Sequence, residues 1–287
     1  MRETEITVNN GPLRLAGTLA LPDVAGPVPL VLFLAGSGPL DRDENLRTQK
    51  LDVFNTLAAD LARRGIASFR YDKRGVGKST GSYHDAGHSD LLDDAAVVLR
   101  HFDGKDFGRR FLVGHSEGTA LAAELSLIQP VDGLVLLSPF IQGGESMLIA
   151  QAARIEDAFR TLPGLLGLIN RAAIGLLGSP VVHQQRLIAR LKSTTEPSFR
   201  HGLRRIEAKS LREMMALDMP AIYARVTTPM LIVGGGKDVQ CDPGDVTRIA
   251  AVSPAPKYAV PDVAALGPLP NTRQAIDALP DSVFAPA

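Results

Sequence analysis

The stretch that most constrains this chain is Phe111-Leu-Val-Gly114-His115-Ser116-Glu117-Gly118-Thr-Ala. A short apolar run passes through G-x-S-x-G straight into an Ala/Leu-rich segment that Pro130 ends. A strand joined to a helix with no loop between them needs a sharp, strained turn, and that turn lifts the serine hydroxyl clear of the sheet. Gly114 and Gly118 let neighbouring backbones pass close by, and the amide after the serine can face an oxyanion. For the serine to react, the rest of the chain must supply a base, an acid and a second oxyanion donor.

The flanking pattern fits a layered α/β fold. Alternation on both sides of Asn10-Gly11 predicts a hairpin. Pro29–Ala35 is a continuous apolar run, the mark of a strand buried on both faces, and it leads into the glycine-rich, polar loop 36–45. A helical period from Leu51 closes at Gly65, Ile66–Tyr71 reads as the next strand, and Asp72–Gly81 as a turn-rich loop. Ser89 is the expected N-cap of a helix over Asp90–Phe102, with acidic residues in its first turn. After the strand at Gly133 the strand signal disappears from 141 to 224, replaced by helical patterns at about 145–160, 164–177, 183–193 and 209–217. Strands return at Pro229 and Tyr258, followed by a short helix from Asn271. The expected organisation is a core of residues 1–140 and 225–287 with an inserted helical cap over 141–224. Its sheet is mostly parallel, with helices on both faces.

Composition narrows the function classes. With 31 Lys/Arg against 31 Asp/Glu the net charge is zero, so nothing in the balance points to nucleic acid or an anionic membrane as partner. The single cysteine, Cys241, excludes an intrachain disulfide framework and suits a reducing cytoplasm. MRETEITVNN has no apolar h-region, so no signal peptide is expected. The most apolar run, 162–178, is interrupted by Asn170, Arg171 and internal glycines and does not read as a membrane span.

Four stretches now resemble the α/β-hydrolase superfamily over essentially the whole chain: Leu34-Ala-Gly-Ser-Gly-Pro-Leu-Asp-Arg-Asp43, Arg70-Tyr-Asp-Lys-Arg-Gly-Val-Gly-Lys-Ser79, Gly114–Gly118, and Leu231-Ile-Val-Gly-Gly-Gly-Lys-Asp-Val-Gln240. The pairing of A-G-S-G-P-x-D-R-D with G-H-S-E-G is similar to a bacterial serine esterase branch. That resemblance implies a hydrolase of small carboxylic esters or thioesters that uses no metal or organic cofactor. It implies Ser116 as nucleophile, and the N–H of Glu117 with an N–H from Gly36 or Ser37 as the oxyanion hole. Asp238 would be the acid that orients the base. His115 and Glu117 flank the serine, and their side chains are expected to point away from its hydroxyl. Asp41-Arg42-Asp43 is expected to tie the oxyanion loop down through Arg–carboxylate pairing. Gly75-Val-Gly77-Lys78-Ser79 invites a phosphate-loop reading, but G-x4-G-K-[ST] needs glycine where this chain has Asp72, so nucleotide binding is set aside.

One part is missing. The family's base lies in a pattern resembling P-D-V-x-H, and here Pro261-Asp262-Val263-Ala264-Ala265 puts alanine at the histidine position. No histidine follows His201, so the base could come only from His84, His88, His101, His115, His183 or His201. Three readings stay open: a serine esterase or thioesterase whose base is replaced by Ala265, naturally or by design; a non-hydrolytic member of the fold that binds a ligand or performs lyase or cyclase chemistry; and a structural protein on a hydrolase scaffold. The Leu-, Ile-, Ala- and Met-rich cap suggests a small-molecule substrate with an apolar moiety. A homodimer is left open.

Overall fold

The computed structural model describes residues 1–260 apart from Leu203, Lys237 and Val239. Ala265 and the helix expected from Asn271 lie outside the described residues. The chain opens with the hairpin β1 (Arg2–Asn10) and β2 (Leu13–Leu21), whose turn places Gly11 at φ 55°. There follow β3 (Val28–Leu34), α1 (Val53–Arg63), β4 (Ala67–Tyr71), α2 (His88–Arg100), β5 (Phe107–His115), α3 (Glu117–Ile128) and β6 (Gly133–Leu137). After a helical segment the sheet resumes with β9 (Met230–Val233), α9 (Asp245–Val252) and β10 (Lys257–Val260). The order across the eight-stranded sheet is β1-β2-β4-β3-β5-β6-β9-β10. β1–β2 and β2–β4 pair antiparallel, and the remaining pairs are parallel.

The continuous apolar runs are explained by burial on both faces. Leu30, Leu32 and Leu34 of β3 join a cluster that includes Leu91, Leu121 and Val246 from α2, α3 and α9. Val31 and Phe33 point to the opposite face, where α1 packs and the Phe33 and Phe54 rings stack with centroids 4.6 Å apart. β3 is paired with β4 on one side and β5 on the other, so the chain order reverses there. Loops leaving the carboxyl ends of β3 and β5 diverge at such a switch point and leave a crevice. Leu34 is in register with Gly114, so the 36–45 loop and the Ser116 turn emerge side by side.

The segment between β6 and β9 holds α4 (Gly144–Thr161), α5 (Gly164–Leu177), α6 (Pro180–Ser193), α7 (Ala208–Ala216) and α8 (Met219–Arg225). It also contains an antiparallel hairpin, β7 (Phe199–His201) with β8 (Arg204–Ile206), where no strand was expected. Three-residue strands are too short to show a periodicity, so this hairpin left no trace in the pattern. Two further details differ from expectation. The α8 helix was not foreseen; capped by Asp218, it buries Met219 and Tyr223 completely in the main core. And α2 begins at His88 behind an N-cap at Gly87, not at Ser89. The Asp90 carboxylate accepts from the Gly87 amide at 2.7 Å, whereas the amide and hydroxyl of Ser89 both donate to Glu213 on α7.

Candidate active site

Ser116 sits between β5 and α3 with φ 50° and ψ −115°, a left-handed strain that L-residues adopt only when their surroundings enforce it. Here the sheet and the helix enforce it together: the Ser116 amide donates to Leu137 O on β6 at 2.9 Å, and its carbonyl accepts from Thr119 N at 2.9 Å. The two glycines answer to close approach. A Cβ on Gly114 would lie 2.2 Å from Gly118 O, and one on Gly118 would lie 2.0 Å from Leu34 O.

The neighbouring 36–38 loop is held by three side chains. Gly36 N–H donates to Glu44 Oε1 at 2.8 Å, and Gly38 N–H donates to the Tyr83 hydroxyl at 2.9 Å. Lys73 Nζ donates to Gly36 O at 2.5 Å and lies 3.5 Å from Gly38 O. The same ammonium pairs with Glu117 Oε2 at 3.1 Å, and both side chains are buried. Gly36, one of the candidate oxyanion donors, therefore has its N–H committed to Glu44 and shapes the loop instead. Of the three amides, the one between the two anchored glycines belongs to Ser37, which lines a cavity together with Ser116 and Glu117.

The side chains flanking the serine are held by other partners: Glu117 by Lys73 and His115 by Glu44. His115 Nδ1 lies 2.9 Å from Glu44 Oε1, so one buried carboxylate oxygen serves both the imidazole and the 36–38 loop. Burial works against a charged ring at His115, but the Glu44 carboxylate outweighs it, with help from Asp238, and the pKa is raised. Beneath the loop, Arg42 forks onto Asp72 at 2.8 and 3.1 Å and Arg70 binds Asp43 at 2.5 Å, the expected Arg–carboxylate tether. Asp72 also accepts from the Arg42 and Lys78 amides. The amide at Lys78, which a phosphate loop would turn to its ligand, thus binds the protein's own carboxylate.

Asp238 follows β9 and is partly buried; its Oδ1 accepts from Gln240 N at 2.8 Å and Cys241 N at 3.0 Å. Its charge acts on His115 and on Cys241, which puts it within electrostatic reach of the serine turn. Cys241 is a buried thiol that lines the same cavity as Ser116. Burial, reinforced by Asp238, pushes it up to about 12, so it stays protonated near neutrality. Several histidines are engaged elsewhere: His84 on Glu207, His88 on Glu124, His101 beside Lys105 and His115 on Glu44. His183 and His201 are exposed between β6 and β9.

The cavity above Ser116 is about 220 Å³. Ser37, Ser116 and Glu117 form its floor; Met147, Leu148 and Gln151 of α4 with Leu211 and Met214 of α7 close it from above. Asp242 and Asp245 complete the wall on the Cys241 side. Sequence reasoning missed Glu44, Lys73, Tyr83 and Cys241. The signal for the first three is weak, because ionisable or hydroxylated residues in polar loops look solvated until the fold buries them.

A strained serine turn at a sheet switch point, beside an anchored glycine loop, defines the α/β-hydrolase class. A family model described as serine aminopeptidase, S33 (Hydrolase_4) matches residues 47–259, most of the sequence, and the chain belongs to that family. Esterase EstD of Thermotoga maritima is 29% identical over 239 residues, 83% of this chain and 52% of that protein. Protein phosphatase methylesterase 1 of Candida albicans is 30% identical over 117 residues, 39% of this chain and 32% of that protein. The chain thus spans about half, or less, of the length of these curated relatives. Est1E from Butyrivibrio proteoclasticus, solved with ferulic acid bound, superposes with a TM-score of 0.61 at 18% identity, covering 89% of this chain and 88% of that one. Proline iminopeptidase from Mycobacterium smegmatis gives a TM-score of 0.61 at 18% identity over 90% of each chain. At those identities the likeness concerns the fold.

Proposed function

We propose that this chain is built as a serine hydrolase of small carboxylic esters or thioesters, with residues 141–224 acting as a cap over the site. The observation that carries the reading is the strained Ser116 turn opening into a closed-over cavity beside the Ser37 amide. In this reading Ser116 Oγ attacks the acyl carbon, and the N–H groups of Glu117 and Ser37 stabilise the oxyanion that appears only in the transition state. The α3 N-terminus adds its positive dipole end to the same point. Met147, Leu148, Leu211 and Met214 favour an apolar moiety on the substrate. EstD, named as an esterase, supports the same chemistry.

Asp238 is assigned as the acid that would hold an imidazole in its working tautomer. The imidazole position falls on Ala265. Without a base the serine hydroxyl is a poor nucleophile, and losing one triad member costs on the order of 10^4 to 10^6 in turnover. The chain as written is therefore an impaired hydrolase. The test is Ala265→His assayed on p-nitrophenyl acetate: a gain of several orders of magnitude that Ser116→Ala abolishes supports the assignment. An Ala265→His protein no faster than the parent overturns it.

A second reading rests on the buried Cys241 thiol that shares the Ser116 cavity. A protonated thiol in that cavity suits a resting hydroxyl, as in a non-hydrolytic ligand-binding, lyase or cyclase member of the fold. In that case a fluorophosphonate probe leaves Ser116 unlabelled even in Ala265→His.

A further inference from the structure

The proposed function leaves α5 unused. None of its described residues enters a hydrophobic cluster. Leu165 is 72% exposed and Leu176 86%, and Leu166, Leu168 and Ile169 are each more than half exposed. A surface helix normally turns one apolar stripe to a core, and apolar surface left open on this scale marks an interaction face.

Charge says what the face fits. From Ala158 to Thr195 there is no Asp or Glu, in a chain with 31 of them, while Arg160, Arg171, Arg186, Arg190 and Lys192 all fall there. Residues 144–206 hold nine Lys/Arg against four Asp/Glu, a local +5 that the zero net charge of the whole chain conceals. Some of this charge is matched on α4, where Arg160 pairs with Glu156 and Lys192 with Glu145. Arg190, Arg200 and Arg205 with Ser198, Phe199 and Glu196 line an open cavity of about 640 Å³ beyond the end of α6; Arg205 also pairs with Asp85. A second copy docked through this face would set one cationic surface against another. No single helix among the described residues is long and apolar enough to span a membrane: the 14 residues of α5 reach about 21 Å at the helical rise, short of a hydrocarbon core of about 30 Å. The helix then bends by 43° into the arginine-bearing α6.

We propose that the α5 face docks on an anionic lipid surface. In the bound state α5 lies in the plane of the interface, its leucines among the acyl chains and the arginines of α6 at the headgroups. This inference does not depend on the chemistry of Ser116.

The test is co-sedimentation of the full chain at low salt with vesicles of phosphatidylcholine alone and of phosphatidylcholine mixed with phosphatidylglycerol. Sedimentation velocity of the free protein runs alongside. The chain is expected to partition at least about tenfold more onto the mixed vesicles. The L165S/L168S double variant should lose at least about tenfold in binding, and Arg186→Gln about fivefold. Both variants alter exposed side chains, so their unfolding midpoints should match the parent. The proposal is overturned if the parent stays in the supernatant with both vesicle types, or if the double variant binds as the parent does. It is equally overturned if the parent is a dimer that the double variant turns into a monomer, because a second copy then covers the face.

Discussion

The floor and the roof of the cavity are held by different physics. The floor is over-determined: the three residues 36–38 are gripped by Glu44, Lys73 and Tyr83, and the serine turn by β6, α3 and two glycines. Most of the partners are buried, so each hydrogen bond that failed would leave a polar group without water. The roof is thinly held. The 18 residues of α4 bury only Leu148 and Ala152, α6 buries Ile188 and Leu191, and α5 buries no described side chain in the core. A backbone strained at Ser116 needs the first kind of support, while helices as thinly packed as α4, α5 and α6 are where local opening costs least.

Several changes would break or sharpen this contrast. The largest effect is expected from Ser116→Ala in an Ala265→His background, a loss of about 10^4 to 10^6 in ester turnover, with binding of a product analogue retained by calorimetry. Lys73→Met should follow, because it strands the buried Glu117 carboxylate; removing one partner of such a pair costs about 3–5 kcal/mol, read from the urea midpoint. Leu121→Ala, in the fully packed layer under the turn, should cost about 2–5 kcal/mol. The roof counterpart Leu176→Ala should stay within about 0.5 kcal/mol. If the two leucines cost the same, the contrast between floor and roof fails.

A smaller effect concerns pH. His115 holds its proton more tightly in the fold than in the open chain, chiefly because Glu44 overrides the penalty of burial. Its contact with Glu44 therefore stabilises fully below the ordinary imidazole value of 6.5, and that contribution fades as pH rises through the higher folded value. Glu44→Gln should flatten this part of the profile. The measurement is the melting temperature of parent and variant at about pH 5.5 and about pH 8.5, on either side of the imidazole range. A variant that keeps the parent's pH dependence would remove Glu44 from the role.

Much of the fold was legible because it rests on local pattern. Continuous apolar runs marked β3 and β5, Asn10-Gly11 marked the first hairpin, and the helical period after Leu51 marked α1. The Arg42 and Asp43 tether was legible from the density of opposite charges, though its partners Asp72 and Arg70 were not. What escaped was non-local or very short. Ser89 reads as an N-cap, yet a carboxylate 124 residues away takes its hydroxyl and amide. The β7–β8 hairpin is too brief to carry a period. Gly36 reads as an oxyanion donor until Glu44 is found to occupy its amide.

By itself the sequence determined the layered sheet, the strand–serine–helix turn and the alanine where a histidine is expected. Periodicity, glycine placement and residue identity are properties of neighbours along the chain. Only the tertiary structure decided that the Gly36 and Gly38 amides are already taken, that Cys241 shares a cavity with Ser116, and that the leucines of α5 stand exposed. Those depend on which buried groups find one another across the sheet, and burial is what turns an ordinary lysine, glutamate or tyrosine into part of a site.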